Sequence, residues 1–289
     1  MRRIRSIRCM FAAASMALLV TGCSDPKAAR EARLSGIEQM EQGNYEGAIA
    51  SFDTALSKSD GIVGEFELDI LKYRAEAEFQ IEDFAAAAHT YGILADVDKG
   101  KAEYCYYQAA SEAMAGNLDG AVKAYEKASG AVKSVSQKNS GEESAEETTA
   151  SLSVPEQKTL QEASLSAEEE AGRSLALSAI GKAYEDQGRY DEAMDFYKRA
   201  AGSKMTADLS NRMGLCMMAA GRYDDALSYF EEGMTLGDEI RMPDLKYNEA
   251  AAYEHKGNFE KALELLEAYV SSYGSTPEIE KEIMFLESR

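Results

Sequence analysis

The chain has 289 residues, 45% of them apolar and 28% charged, with four prolines and a formal net charge of −20. That acidity excludes binding along a phosphate backbone, which needs clustered Lys and Arg, and disfavours broad adhesion to anionic lipid. Scarce proline excludes a collagenous or proline-rich stalk, and the length suits one or two globular domains or one array of repeats.

The chain opens with Arg2, Arg3, Arg5 and Arg8 and carries no acid before residue 23. Met10 to Val20 is apolar except for Ser15. That run is too short to span a bilayer and has the length of a signal-peptide hydrophobic region. It leads into Val20-Thr21-Gly22-Cys23. This segment resembles the lipobox of bacterial lipoproteins. The resemblance implies diacylglycerol on the Cys23 sulfur, cleavage between Gly22 and Cys23, and a protein held on the extracytoplasmic face of a bacterial membrane or envelope. Residues 1–22 then form the signal peptide, and 23–25 the anchor and a short tether. Ser24 stands where Gram-negative lipoproteins retained at the inner membrane carry Asp, so that signal is absent; the type of host stays open. Asp25-Pro26 reads as the cap and first position of a helix. Lys27, Arg30 and Arg33 slightly outweigh Asp25 and Glu31 there. The array begins either beside the headgroups or after a frayed tether, and both remain open.

From residue 26 a phrase recurs, anchored on Gly43, Glu82, Gly116, Gly188, Gly221 and Gly257. Two residues after each anchor stands Tyr45, Phe84, Leu118, Tyr190, Tyr223 or Phe259. Three further on is always alanine: Ala48, Ala87, Ala121, Ala193, Ala226 and Ala262. Four beyond that is Phe52, Tyr91, Tyr125, Tyr197, Phe230 or Leu266. Seven before the anchor is a small residue: Gly36, Ala75, Ala109, Gly181, Gly214 or Ala250. Offsets of three, four and seven share one helix face. The pattern therefore predicts paired helices whose backbones approach at the small residues, with the large ones filling the grooves between them. Glycine suits the left-handed residue that ends a helix, so Glu82 predicts a less regular second turn.

These residues resemble the tetratricopeptide repeat. The resemblance implies an all-α fold, a right-handed α-solenoid of about six helix-turn-helix repeats, each packed mainly on its neighbours. The family's first-helix aromatic is absent and its repeat-end proline is missing or displaced. Pro243 and Pro277 instead stand at expected helix starts. Repeats 1–3 occupy 26–133 and repeats 4–6 occupy 172–276. A capping helix fills 277–289, with Ile279, Ile283 and Leu286 covering the last repeat and Glu280, Lys281 and Glu287 facing water.

Residues 134–171 interrupt the array with nine Glu, two Lys, eight Ser and no aromatic residue. Such a segment buries too little apolar surface to offset its ordering and is expected to be largely mobile. The Ser166-Ala167-Glu168-Glu169 stretch reads as a capping box, so the fourth repeat can begin early. A spacer, a docking segment and a hinge between two three-repeat blocks all remain open.

The chain has no P-loop, no G-x-S-x-G and no H-E-x-x-H motif, so no enzymatic activity, metal or cofactor is expected. His89 and His255 fall in separate repeats. Cys105 and Cys216 sit within helical patterns, where a lone cysteine is a small buried apolar residue rather than half of a bridge. Binding is the expected function, because a solenoid's curvature makes an extended concave surface. In the resembled family the first helices line that surface. Counting thirteen-residue first helices in register, the inward candidates are Arg33, Lys72, Glu76, Phe79, Tyr106, Lys182, Asn211 and Tyr247, joined by Ile37, Met40, Met114 and Met218. Ile37 replaces the asparagine of the family's two-carboxylate clamp, so that specificity is not expected. The sequence thus predicts a membrane-anchored scaffold that takes a peptide or protein segment in its groove. An envelope-assembly or secretion lipoprotein, or a non-catalytic regulatory subunit of an envelope enzyme, is the alternative.

Overall fold

The computed structural model describes residues 24–98, 101–139, 165–202 and 204–289. The expected signal peptide, Cys23 and the 140–164 part of the insertion lie outside the described residues. Thirteen helices are described, the first twelve in consecutive pairs: α1 (Pro26–Glu41) with α2 (Tyr45–Lys58), α3 (Glu65–Gln80) with α4 (Phe84–Val97), α5 (Ala102–Met114) with α6 (Leu118–Asn139), α7 (Ala167–Asp186) with α8 (Tyr190–Ala200), α9 (Ala207–Ala219) with α10 (Tyr223–Thr235), and α11 (Met242–His255) with α12 (Phe259–Tyr273). Helix α13 (Pro277–Glu287) closes the stack. It buries Ile279 and Leu286 against the last pair and leaves Glu280, Lys281 and Glu287 exposed.

The recurring small residues form the seam. All six repeat alanines are fully buried. Where the partner position is glycine, a ring occupies the space that a side chain would need. A methyl group on Gly36, Gly181 or Gly214 would lie 2.4, 2.7 or 2.3 Å from the ring of Phe52, Tyr197 or Phe230. In the second and third repeats the equivalent pairs are Ala75 with Tyr91 and Ala109 with Tyr125, and those rings are not completely covered. Ridge-into-groove packing of this kind leaves little room for added volume.

The turns within the pairs are alike. Gly43, Gly116, Gly188, Gly221 and Gly257 have φ between 72° and 83°. Glu82 adopts the same left-handed conformation at φ 61°. Its N–H bonds Phe79 O at 3.1 Å and the Asp83 N–H bonds Glu78 O at 3.0 Å, matching the Gly43 and Asn44 bonds of the first turn. The second turn is therefore as regular as the others, contrary to the expectation from Glu82. Its surroundings hold it: the Asp83 carboxylate accepts from Ala86 N at 3.1 Å, and Phe79 packs edge-on to Phe84 across the turn at 5.3 Å.

The helices reach into the 134–171 span from both sides, α6 to Asn139 and α7 from Ala167. Ser166 and Glu169 form the capping box at the start of α7, and Glu168, Glu169 and Glu170 place negative charge at the helix's positive end. Helix α7 then packs directly on α5, where the Gly172 position lies against Tyr106 and Tyr107. One core consequently runs from α3 to α11 across the interruption, with smaller clusters at the two ends of the array.

Candidate partner-binding groove

Helix α9 meets the fourth pair mainly through α8, so α7 and α9 stand apart. The gap is an open cleft of about 780 Å³. Helix α7 presents Ala171, Leu175, Ser178 and Lys182 along one side, spaced at three and four residues so that they share a face. Met114 at the end of α5 closes one end, and Thr206, Leu209 and Arg212 at the start of α9 form the far wall. Small and apolar side chains make the floor, and charges stand at the rim.

Lys182, Asp186, Asp208 and Arg212 on the rim are internally paired. Lys182 Nζ bonds the Asp186 carboxylate and lies 3.7 Å from Glu185. The Asp186 hydrogen bond chiefly raises the Lys182 pKa, so its charge is held at any ordinary pH. Glu185 also accepts from the Tyr197 hydroxyl at 2.8 Å, which ties the rim to the fully buried ring of the seam. Arg212 donates to Asp208 at 2.8 Å, and Arg241 reaches the same carboxylate at 3.1 Å. An incoming polar segment would exchange these exposed pairs at small cost, since such pairs each contribute about 0–1 kcal/mol.

Of the residues expected to face a partner, Met114 and Lys182 line this cleft. Tyr106 does not face it: its side chain is 2% exposed, beside the Tyr125 ring at 5.6 Å and under α7 at Gly172. Thirteen-residue counting misplaces it because α7 starts early and covers this face of α5. The others are dispersed along the array, and all but Glu76 are engaged within it. Arg33 pairs with Asp69 at 2.5 Å, its guanidinium 5.9 Å from the Tyr73 ring centre. Lys72 lies over Tyr104, Glu76 is exposed and Phe79 half-buried. Asn211 accepts from Asn248 at 2.8 Å. The Tyr247 hydroxyl donates to Glu282 at 2.8 Å, joining α11 to the capping helix. Ile37 and Met40 are half-buried against the first core cluster, and Met218 against the main one. Leu175, Ser178 and Arg212 were not among the expected residues. The Ser166 capping box was the available signal for α7, since an earlier helix start shifts which turns are free.

His89 is exposed, and His255 stacks on Tyr223 at 5.5 Å between ring centres. Among the described residues no group of His, Cys, Asp and Glu could hold a metal ion, and no helix is long and apolar enough to cross a membrane.

Stacked helix pairs sharing one seam, with an open inner cleft, define an α-solenoid interaction scaffold. Residues 33–91 and 73–133, 176–208, and 217–281 each match the tetratricopeptide repeat, together more than half of the chain. The chain belongs to the tetratricopeptide-repeat family. No curated protein sequence matches it. Among solved structures it is similar to PilW, described as a widely conserved type IV pilus biogenesis factor, at 14% identity and a TM-score of 0.54, covering 89% of this chain and 99% of PilW. A chain of the APC/C hetero-tetramer Cut9–Hcn1 is similar at 12% identity and a TM-score of 0.52, covering 89% of this chain and 42% of that one. A tetratricopeptide repeat protein from Parabacteroides merdae matches at 16% identity and a TM-score of 0.49, covering 90% and 84%. At these identities the likeness is one of fold.

Proposed function

We propose that this protein is a lipid-anchored, extracytoplasmic adaptor that holds a peptide or protein segment in the cleft between α7 and α9. The cleft is the observation that carries the reading. It is open and has a small-residue floor on α7. Its rim offers cations and carboxylates that can be exchanged for a partner's groups. Binding pockets combine an apolar floor with a few polar groups in this way. The anchor rests on the sequence: the basic start, the short apolar run and the lipobox ending at Cys23. The lipid supplies location and the repeats supply surface. An envelope-assembly role is the same chemistry with a different partner.

The test is photo-crosslinking in intact host cells. A photoreactive residue at Lys182 or Ser178 is expected to capture a discrete protein that the same probe at exposed Glu264 on α12 does not. Equal capture from both positions would remove the cleft. For the anchor, Cys23→Ala is expected to release the protein from the membrane fraction; unchanged retention and unchanged mass would reject acylation.

A further inference from the structure

The start of the array gathers three features in one place. Asp25 N–H bonds Lys58 O at 2.9 Å, so the chain enters α1 beside the end of α2. The loop leaving α2 closes the same tip: Ser24, Pro26, Ala29 and Arg30 share a small cleft with Ser59, Asp60 and Phe66. That loop carries Ile62 and Val63, which are 70% and 41% exposed. It is not a loose strand. The Asp60 carboxylate accepts from Ile62 N at 3.0 Å, Glu67 accepts from Gly64 N at 3.0 Å, and Gly61 takes φ 77°. Two adjacent β-branched residues are thus held out on a fixed turn, at the same tip as Ser24, the residue that follows Cys23.

The charges at this tip are close to balanced, with a small excess of carboxylates that includes the mostly buried Glu67. Lys27, Arg30 and Lys58 are exposed, and so are Asp25, Glu31, Asp60 and Glu65. Two of these carboxylates are used locally, Asp25 as the α1 cap and Asp60 in its turn, and Glu31 lies 3.8 Å from Lys27. The rest of the molecule is strongly acidic. This end therefore meets an anionic surface with little net charge to repel it, and its attraction to it is apolar.

We infer that the Ile62–Val63 turn is a second membrane contact: it inserts into the headgroup region of the bilayer that holds the Cys23 lipid, and so fixes the tilt of the array. This rests on the lipid-anchor reading above. The occupant is lipid because Ser24 stands at this tip, and on that reading the residue before it is the acylated one. An apolar pair held at the interface adds to an anchor that already confines it there. With the tip charges nearly balanced, the contact is expected to respond little to salt.

The chain has no tryptophan but sixteen tyrosines, so Ile62→Trp introduces a sole tryptophan, excited selectively at the red edge of its absorption. The full-length, processed protein carrying Ile62→Trp is mixed with vesicles of phosphatidylethanolamine and a minority of phosphatidylglycerol. Leu215→Trp, on the exposed side of α9, serves as the remote control. The expected result is a blue-shifted emission and loss of iodide quenching for Ile62→Trp alone, persisting in high salt. Tryptophan itself favours interfaces, so a second measurement avoids it. The double variant Ile62→Ser, Val63→Ser is compared with the parent on a supported bilayer by polarised infrared spectroscopy of helix orientation. The double variant is expected to stay bound through its lipid and to lose the parent's orientational order. Equal order in the two proteins overturns the inference. An acylated, vesicle-bound Ile62→Trp protein whose emission stays fully quenchable also overturns it and leaves the anchor standing. Protection without vesicles, growing with protein concentration, assigns the turn to self-association and overturns it as well. A mass lacking the lipid overturns the anchor, and this inference with it.

Discussion

The ring of Phe230 on α10 rests against the backbone of Gly214 on α9, so closely that a methyl group at residue 214 would fall 2.3 Å from Phe230 Cε1. The ring is fully buried, and close-packed interiors leave little room for it to shift. Gly214→Ala is therefore expected to destabilise the array by about 1–3 kcal/mol through overpacking, despite alanine's better helix propensity of about 1 kcal/mol. The sixth repeat solves the same problem with Ala250 and Leu266, both fully buried. Adding Phe230→Leu to Gly214→Ala should recover much of the loss, and a double-mutant cycle by chemical denaturation measures the coupling. Additive effects would mean that the two side chains do not compete for this space.

Glu82 occupies the position that glycine fills in the other five turns, at φ 61°. A left-handed conformation costs a non-glycine residue about 1–2 kcal/mol, partly offset by glycine's larger entropy loss on folding. Glu82→Gly is expected to stabilise the protein by about 0.5–1 kcal/mol. A lower denaturation midpoint would show that the Glu82 side chain contributes something its exposed position does not suggest.

Cys105 and Cys216 are free and buried. Burial pushes the Cys216 thiol from its ordinary 9.0 up to about 11, and raises Cys105 as well. The thiolate is the reactive form, so both should resist an aromatic disulfide reagent at mildly alkaline pH until the chain unfolds. The folded state holds the thiol proton more tightly, so this contribution is complete below pH 9 and is lost as pH rises toward 11. A denaturation series in that range on Cys216→Ala and the parent should show a shallower decline for the variant.

Helix α7 docks on α5 and continues the core of the first three repeats. Cutting the chain at a protease site introduced between residues 140 and 164 should leave the two pieces bound, eluting together and unfolding in one transition. Separation into two independent bodies would mean that the α5–α7 contact does not hold the halves together.

The repeat was legible in the sequence because each of its rules is local. Gly214 and Phe230, or Ala250 and Leu266, meet across one turn of fixed length, so spacing alone predicts their contact. The capping helix and the cap at Asp25 were readable for the same reason. The Glu82 turn departs from its single-residue preference because neighbours, Phe79 and Phe84 among them, override it. The cleft needed the tertiary structure. It depends on α7 lying along α5, which buries Tyr106, and on α7 and α9 standing apart, which leaves Leu175, Ser178 and Arg212 lining an open cleft. Those are relations between helices separated by the insertion or by a whole pair, and they are decided by how the stacked pairs splay, which no periodicity within one repeat encodes.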